Sequence, residues 1–439
     1  MVFLHGFVII ILKHFLMNPY KNLKWLCLLL FAVPLLLTGQ TVTKSVVIAN
    51  GGAYSNPDDY VTVATYDPET EDTQTIATIF TQSVQGMLVH NGFAYVAAQD
   101  SLAKVDLVSG EVVSIVFLSG VNKFVVYEDK LIVSRQFPVT SGFVQVRQVE
   151  DLSLLTTFDE ISDESWDISV VGDTAYVSVA GGWAATEGKM AVLDMQNVIF
   201  VREINLGAQA QGIGPSFQNG EHLFFICKTP WGGTSGTLVK YELSTAGYSL
   251  HQYDYPLGKA AGVFDDNLYL MVDGNVGVID LNTLTLTNET LIENTFAGLD
   301  ITALTLDTIA ARIYVNYSYW VAPDGIGKIY DLSGVEVGEY EVGVSAEEVA
   351  VNYADITDIP KHSEQTFTPI IFPNPCINEL NISGLAQDAL FEIYNITGEC
   401  LQSGQGLVGE IDVSALSPGI YFLKVSSHGH QKTIKFIHQ

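Results

Sequence analysis

Five stretches of this chain set large aromatic side chains among Gly, Pro, Ser and Thr. They hold Tyr54 (NGGAYSNPDDY), Phe137 (RQFPVTSG), Trp183 (GGWAATEGK), Trp231 (KTPWGGTSG) and Tyr319-Trp320 (YSYWVAPDGIG). Trp166 opens an apolar run, SWDISVV, just after an acidic turn. Aromatic side chains offer a large contact area at low entropic cost, so this is the composition of a ligand-binding rim. Two cations stand beside these stretches, Arg135 before Phe137 and Lys228 before Trp231, and either could orient an anionic or amide-bearing ligand. The plainer alternative is that the aromatics cap contacts between structural units and the cations pair with neighbouring acids.

Groups that would do covalent chemistry are missing from the pattern. There is no GxSxG elbow, HExxH pair, phosphate loop or EF-hand spacing. Asp58-Asp59 and Asp163-Glu164 are adjacent in sequence, which does not set two carboxylates across a cleft at glycosidase separation. Asp58-Asp59 could help hold Ca²⁺, although solvated acids explain them as well. His428, His430 and His438 crowd the C-terminal end. The expectation is a noncatalytic protein with no cofactor and no metal site.

The net charge of −29 argues against a nucleic-acid partner, because that affinity depends on Lys and Arg neutralising phosphates. The acidity reads most simply as solubility. There are four cysteines. Cys27 falls in an N-terminal leader, and Cys227 sits in the apolar run HLFFIC as a small buried hydrophobe. Cys376 and Cys400 are close enough in sequence for a disulfide in an exported protein. No CxxC spacing suggests structural zinc.

The elements that must position the aromatic stretches repeat. Gln85 to Gly120 reads as four short apolar runs, A to D, closed by His90-Asn91-Gly92, Gln99-Asp100-Ser101 and Asp106 to Gly110. Alternating apolar residues between such turn signals make an antiparallel meander. First runs recur near Gln85, Val121, Ser165, Ala208, Ala260, Leu299 and Ser345, roughly 36 to 52 residues apart, as in propeller blades. Second runs align beneath them, and third runs mostly end in an acid that starts a turn: Asp67, Asp106, Asp194, Glu242, Asp280 and Asp331. The repeat enters on a B run at Val46 and leaves on an A run, Ala346 to Tyr353. A last A strand completing the first blade would close the ring and remove its open edges. The aromatic stretches are then B–C loops on the channel-mouth face. The fold class is all-β, a seven-bladed β-propeller followed by a small C-terminal β-sandwich.

Residues 1–39 read as a secretory signal peptide, with Lys21 and Lys24 before an apolar Leu26 to Leu37 and Met17 a better start. No later run is long enough to span a bilayer. The propeller occupies 43–354, a linker 355–370, and a separate block of short strands 371–439.

That block carries Phe372-Pro373-Asn374-Pro375, then FEIYNITG through Gly398, then Leu416-Ser417-Pro418-Gly419-Ile420-Tyr421, and a basic-apolar ending from Lys432 to Ile437. In this order and spacing it resembles the type A sorting domain of proteins exported by the type IX secretion system. The resemblance implies Sec export, handling by the type IX machinery, and release or surface attachment. The propeller phrases from Asn91 to Val96 and Ala103 to Val113 resemble the seven-bladed YncE-like, or surface-layer, propellers. Some secreted members capture cobalamin or other scarce nutrients above an outer-membrane transporter, and SVVIANGGAYSNPDDYVTVATYDPET is similar in layout to their opening. Those are usually lipoproteins, whereas this chain has a sorting block. Ligand capture is therefore the first expectation. The alternatives are an adhesion protein that binds a protein or polysaccharide, or a propeller hydrolase or lyase.

Overall fold

The computed structural model describes residues 41–228, 233–321, 323–355, 370–372, 374–383, 390–395, 398–405, 409–427 and 430–439. The signal peptide reading, Trp231, Pro373 and all but the two end residues of the linker lie outside them. The chain divides after Asp355 into two compact units.

In the first unit the described residues form seven four-stranded antiparallel sheets. The A strands are Ala346–Asp355 (blade 1), Val84–His90 (blade 2), Val121–Tyr127 (blade 3), Ser165–Val171 (blade 4), Ile213–Asn219 (blade 5), Leu257–Phe264 (blade 6) and Asp300–Asp307 (blade 7). Each A strand packs beside the A strands of both neighbouring blades, and the seven contacts close into a ring. The B strands, such as FAYVAA and HLFFIC, are buried almost throughout, because neighbouring blades cover both of their faces. In one such layer Ile132, Val144 and Val146 of blade 3 meet Val177, Ala191 and Leu193 of blade 4.

The ring closes as its phase requires. Ala346–Asp355 pairs antiparallel with Thr41–Asn50, from Thr41 opposite Asp355 to Asn50 opposite Ala346. Polar groups knit the seam to blade 7: Tyr340 donates to Asn316 Oδ1 at 2.6 Å, and Asn316 Nδ2 donates to the Ala346 carbonyl at 3.1 Å. One expected start differs. Ala208–Ala210 is a short 3-10 turn, and the blade 5 A strand begins only at Ile213. Gly207 and Gly212, both at positive φ, turn the chain on either side of that insert.

All seven A strands are bulged at the same level. Opposite the B strand, the register skips Gln85, Asn122-Lys123, Trp166-Asp167, Gly214-Pro215, Gly258-Lys259, Thr302 and Glu347. A bulge leaves residues out of the ladder and re-aims their side chains. Here Lys123, Trp166, Asp167, Pro215 and Lys259, all at the bulges, line a cavity in the channel.

The acids at the C-strand ends make the turns their spacing suggested. Asp106 Oδ1 accepts the Val108 and Ser109 amides at 2.8 and 2.9 Å, and Asp280 and Asp331 do the same two and three or four residues on. The second unit stacks a three-stranded sheet (Ile370–Phe372, Glu379–Ser383, Gly409–Asp412) against a four-stranded one (Cys400–Gln405, Leu390–Tyr394, Gly419–Ser427, His430–His438). Between them lie Leu380, Ile393, Ile411, Leu423, Val425 and Phe436.

Two outcomes follow from these contacts. Val349, buried in the closure layer, becomes a buried unpaired charge in Val349→Asp. The substitution should cost about 3 kcal/mol or more and broaden the thermal transition seen by circular dichroism. For the turns, the Ser109 and Val108 amides hold the Asp106 carboxyl below its usual range. A depressed native pKa gives stability that is present above the unfolded value, near 3.9, and lost as pH falls through the native one. Asp106→Ala should cost about 1 kcal/mol at pH 7 and little at pH 2. Asp106→Asn, which keeps the acceptor, should cost less at pH 7. Chemical denaturation at the two pH values separates them.

Candidate ligand-binding site at the channel mouth

The loops reach one face because the A–B ladder continues past the strand ends. In four blades the first residue after the B strand donates its amide to the residue just before the A strand: Gln99 to Ser83, Gln136 to Gly120, Lys228 to Gly212 and Asp273 to Pro256. In blade 4 the second residue, Gly181, donates to Glu164, and all five bonds are 2.8–3.0 Å long. Gly212 is required in this link. It has φ +69°, and a Cβ there would stand 2.6 Å from the Lys228 carbonyl. B–C and D–A loops are thereby bound together at the rim of each of these blades.

Between blades 3, 4 and 5 the rim encloses a cavity of about 520 Å³, whose walls include Gln136, Glu164, Trp166, Trp183, Gln211 and Lys228. Gln211 is fixed by donating to the Ala185 carbonyl at 2.7 Å. Trp183 is 92% exposed, carried on the Gly181-Gly182 turn. The Lys228 ammonium stands 4.2 Å from the centroid of the Trp166 ring, a cation–π contact. Among the described residues no acceptor or carboxylate bonds to it. Burial, reinforced by the like charges of Lys259 and Lys123, lowers the Lys228 pKa to about 8, against the opposing pull of Glu348 and Glu347.

Trp166 and Lys228 also line a second cavity of about 170 Å³, down the channel, with Lys123, Asp167, Lys259 and Glu348. There Glu348, beside the blade 1 bulge, and the bulged lysines form a charge network. Glu348 Oε1 accepts Lys123 Nζ at 2.5 Å and lies 3.7 Å from Lys259 Nζ, which also donates to the Thr302 and Glu347 carbonyls at 2.7 Å. Burial raises the Glu348 pKa, but Lys123 and Lys259 outweigh it and leave the carboxyl below its usual range. Asp167, raised by burial, accepts the Ser216 amide at 2.7 Å.

The sequence candidates thus divide. Trp166, Trp183 and Lys228 share the larger cavity, and Phe137 faces Trp183 across an open depression beside it. Arg135 lines none of these cavities: its guanidinium donates to the Ser119 and Gly142 carbonyls at 3.0 Å and braces the Phe137 loop. Tyr54, Tyr319 and Trp320 form a separate exposed cluster at blades 1 and 7, with ring centroids 6.2 Å (Tyr54–Trp320) and 5.5 Å (Tyr319–Trp320) apart. Asp59 braces that loop by accepting the Ala53 amide at 2.7 Å. Sequence reading missed Gln136, Gln211 and the channel residues Lys123, Asp167, Lys259, Glu347 and Glu348. The signal for the channel residues was a charged residue two or three positions into the A runs of blades 1, 3, 4 and 6.

In the second unit, the sorting-type motifs hold the last strand in place. Asn374 accepts the Ile437 amide at 3.0 Å and donates to the Lys435 carbonyl at 3.2 Å. Cys376 N donates to the Ile437 carbonyl and Gln439 N to that of Cys376, both at 2.9 Å. Tyr421 bridges the Leu416-to-Tyr421 phrase by donating to the Ser417 carbonyl at 2.6 Å, and Gly398 takes φ +84° in the turn after Asn395. Pro375 and Pro418-Gly419 lie in the segments so held. The expected disulfide is absent, and Cys376 and Cys400 are free. The Cys376 thiol is buried in the sandwich against the last strand, while Cys400 is exposed on the edge strand of the four-stranded sheet.

Residues 370–439 match the secretion system C-terminal sorting domain. No curated protein matches the chain. Among solved structures it is similar to a hypothetical selenium-binding protein from Sulfolobus tokodaii, at 10% identity and TM-score 0.55, covering 72% of this chain and 94% of that one. A functionally unknown protein from Desulfotomaculum acetoxidans aligns at 11% identity and TM-score 0.52 over 70% and 99% of the two chains. A candidate 6-phosphogluconolactonase from Bacteroides uniformis aligns at 12% identity and TM-score 0.50 over 70% and 100%. At these identities the likeness concerns fold alone. Fold and sorting domain together define the class: this is a β-propeller exported through type IX secretion to the cell surface or beyond. No described helix is long and apolar enough to cross a membrane.

The channel network yields a stability test. Glu348→Gln leaves Lys123 and Lys259 facing each other without their shared carboxylate. Side-chain exposures of 18% for Glu348, 21% for Lys123 and 31% for Lys259 let water screen part of that loss. The expected cost is about 1–3 kcal/mol, below that of a fully buried pair. Adding Lys259→Met should recover part of it in a double-mutant cycle followed by thermal unfolding.

Proposed function

We propose that this exported propeller is a noncatalytic binding protein that captures a small molecule in the cavity between blades 3, 4 and 5. The observation that carries the reading is the convergence of Trp166, Trp183, Gln136, Gln211 and Lys228 on one space of about 520 Å³. That volume falls within the roughly 300–1,000 Å³ of small-molecule sites, with aromatic walls and a few polar groups to fix orientation. A carboxylate-pair glycosidase would need a second acid, and Glu164 is the one carboxylate lining the cavity among the described residues. Capture of a scarce nutrient at the cell surface, for hand-over to an outer-membrane transporter, is the role this suits. A complete corrinoid is larger than the cavity and would have to project beyond the rim.

The exposed cluster of Tyr54, Tyr319 and Trp320 favours a second reading, adhesion to a polymer or surface protein, because solvent-facing aromatics mark interaction patches.

A thermal-shift screen of the purified full-length chain against sugars, amino acids, aromatic acids and corrinoids tests capture. A ligand at about 100 times its Kd adds about 2.7 kcal/mol and should raise Tm by several degrees. Trp183→Ala should abolish the shift while leaving the Tm of the free protein within about 1 °C, since Trp183 is almost wholly exposed. A shift unaffected by Trp183→Ala but lost in Trp320→Ala would move the site to the second cluster.

A further inference from the structure

The charge arrangement around Lys228 specifies what the cavity takes. Three lysines approach the channel mouth: Lys123 and Lys259 from the bulges of blades 3 and 6, and Lys228 from the rim of blade 5. The first two are satisfied by Glu348 and by backbone carbonyls. Lys228 is not. Its ammonium rests on the Trp166 ring and lines both cavities, and among the described residues it has no hydrogen bond or ion pair. A largely buried ammonium without an acceptor carries a desolvation cost that only a partner can offset. The indole face offsets part of it and leaves the N–H donors unused.

We propose that Lys228 is the anion-recognising residue of this site, and that the captured ligand joins an anionic group, a carboxylate or phosphate, to a flat apolar body. This rests on the capture reading. The anion meets Lys228 at the inner end of the cavity. The body lies against Trp166 and reaches toward Trp183 at the rim, and Gln136 and Gln211 supply amides along the way. Glu164, on the wall of the same cavity, opposes a second negative charge and favours ligands with one anionic end.

The pH response has a definite sign. The groups facing Lys228 are Lys123, Lys259, Glu347 and Glu348 in the channel, Asp167 on the small cavity, and Glu164 on the large one. Because burial and the two neighbouring lysines hold Lys228 near 8, it is mostly protonated at pH 7 and mostly neutral at pH 9.5. An anion should therefore bind with proton uptake around pH 8 and weaken as pH rises. A neutral ligand should not.

Isothermal titration of the full-length chain with paired probes tests this: phenylacetate against phenylacetamide, indole-3-acetate against its amide, and phenyl phosphate against phenol. At pH 7 the acid should bind about 10- to 100-fold tighter than its neutral twin, the range of a hydrogen bond to a charged group. The preference should shrink at pH 9.5 and vanish in Lys228→Met and Lys228→Gln, each first shown to be folded by its melting curve. Glu164→Gln should tighten acid binding a few-fold. A merely structural role for Lys228 would not produce opposite changes at these two positions. A preference confined to phenyl phosphate identifies the anion as phosphate, and one shown by both acetates identifies it as carboxylate. The inference is overturned if acids and neutral twins bind alike, or if the preference survives loss of Lys228. Binding of uncharged library members alone would overturn it and leave capture standing, whereas no binding by any compound removes both.

Discussion

A ring of sheets is stable only where its two ends meet, and here that junction is built from segments about three hundred residues apart in sequence, Thr41–Asn50 and Ala346–Asp355. The pairing gives blade 1 its fourth strand and covers the edge that Thr41–Asn50 would otherwise leave open. The layers between neighbouring blades are continuous around the ring, so opening the seam exposes apolar surface on both sides of it. Tyr66, Tyr314 and Tyr340 pack across the seam, with ring centroids 5.4–6.4 Å apart, and Asn316 ties Tyr340 to the incoming strand. The rim and the channel inherit their geometry from this closure.

Closure also brings seven bulges to one level, and the bulges answer a problem that the apolar strands create. A strand packed on both sides has no room for a lysine or a glutamate. Shifting one or two residues out of register turns them toward the channel, where water and opposite charges can reach them. Glu348, in register beside the bulged Glu347, serves two bulged lysines drawn from blades 3 and 6. The network belongs to no single blade, and it gives the channel mouth a fixed field into which Lys228 projects.

The propeller was legible because its signals are local and repeated. Alternation within each run, an Asp at the close of most C runs and the phase of the first and last runs are all printed in the chain, and the Asp106, Asp280 and Asp331 turns form as read. The start at Ala208 was misplaced because a 3-10 insert of small apolar residues imitates the opening of a strand. The site was legible only in part. Composition singled out Trp166, Trp183 and Lys228, which line one cavity, but it grouped with them Trp320, which lies on blade 7, and Arg135, whose guanidinium donates to two backbone carbonyls. Whether a cation is bound or free depends on carbonyls brought near by the fold, and no spacing rule reports that. Cys376 and Cys400 make the same point: proximity in sequence left one thiol in a core and the other on an edge.

One scaffold position shows how a repeat becomes a site. In blades 2 to 6 a residue just after the B strand is pinned by its amide to the neighbouring D–A loop, whatever side chain it carries. In blade 2 it is Gln99, engaged by Thr81 at 2.7 Å, and that blade keeps a bare rim. In blade 4 it is Gly181, where a Cβ would stand 2.6 Å from that of Ala185 and fill space beside the cavity. In blades 3 and 5 it is Gln136 and Lys228, both on the cavity wall. Three adjacent blades thus give an amide, an opening and a cation where the same amide link binds the rim, one residue further from the strand in blade 4. The cation is the member whose charge has no partner among the described residues. Selectivity for a ligand is most economically written at such a position, because substitution there alters chemistry without altering the ring.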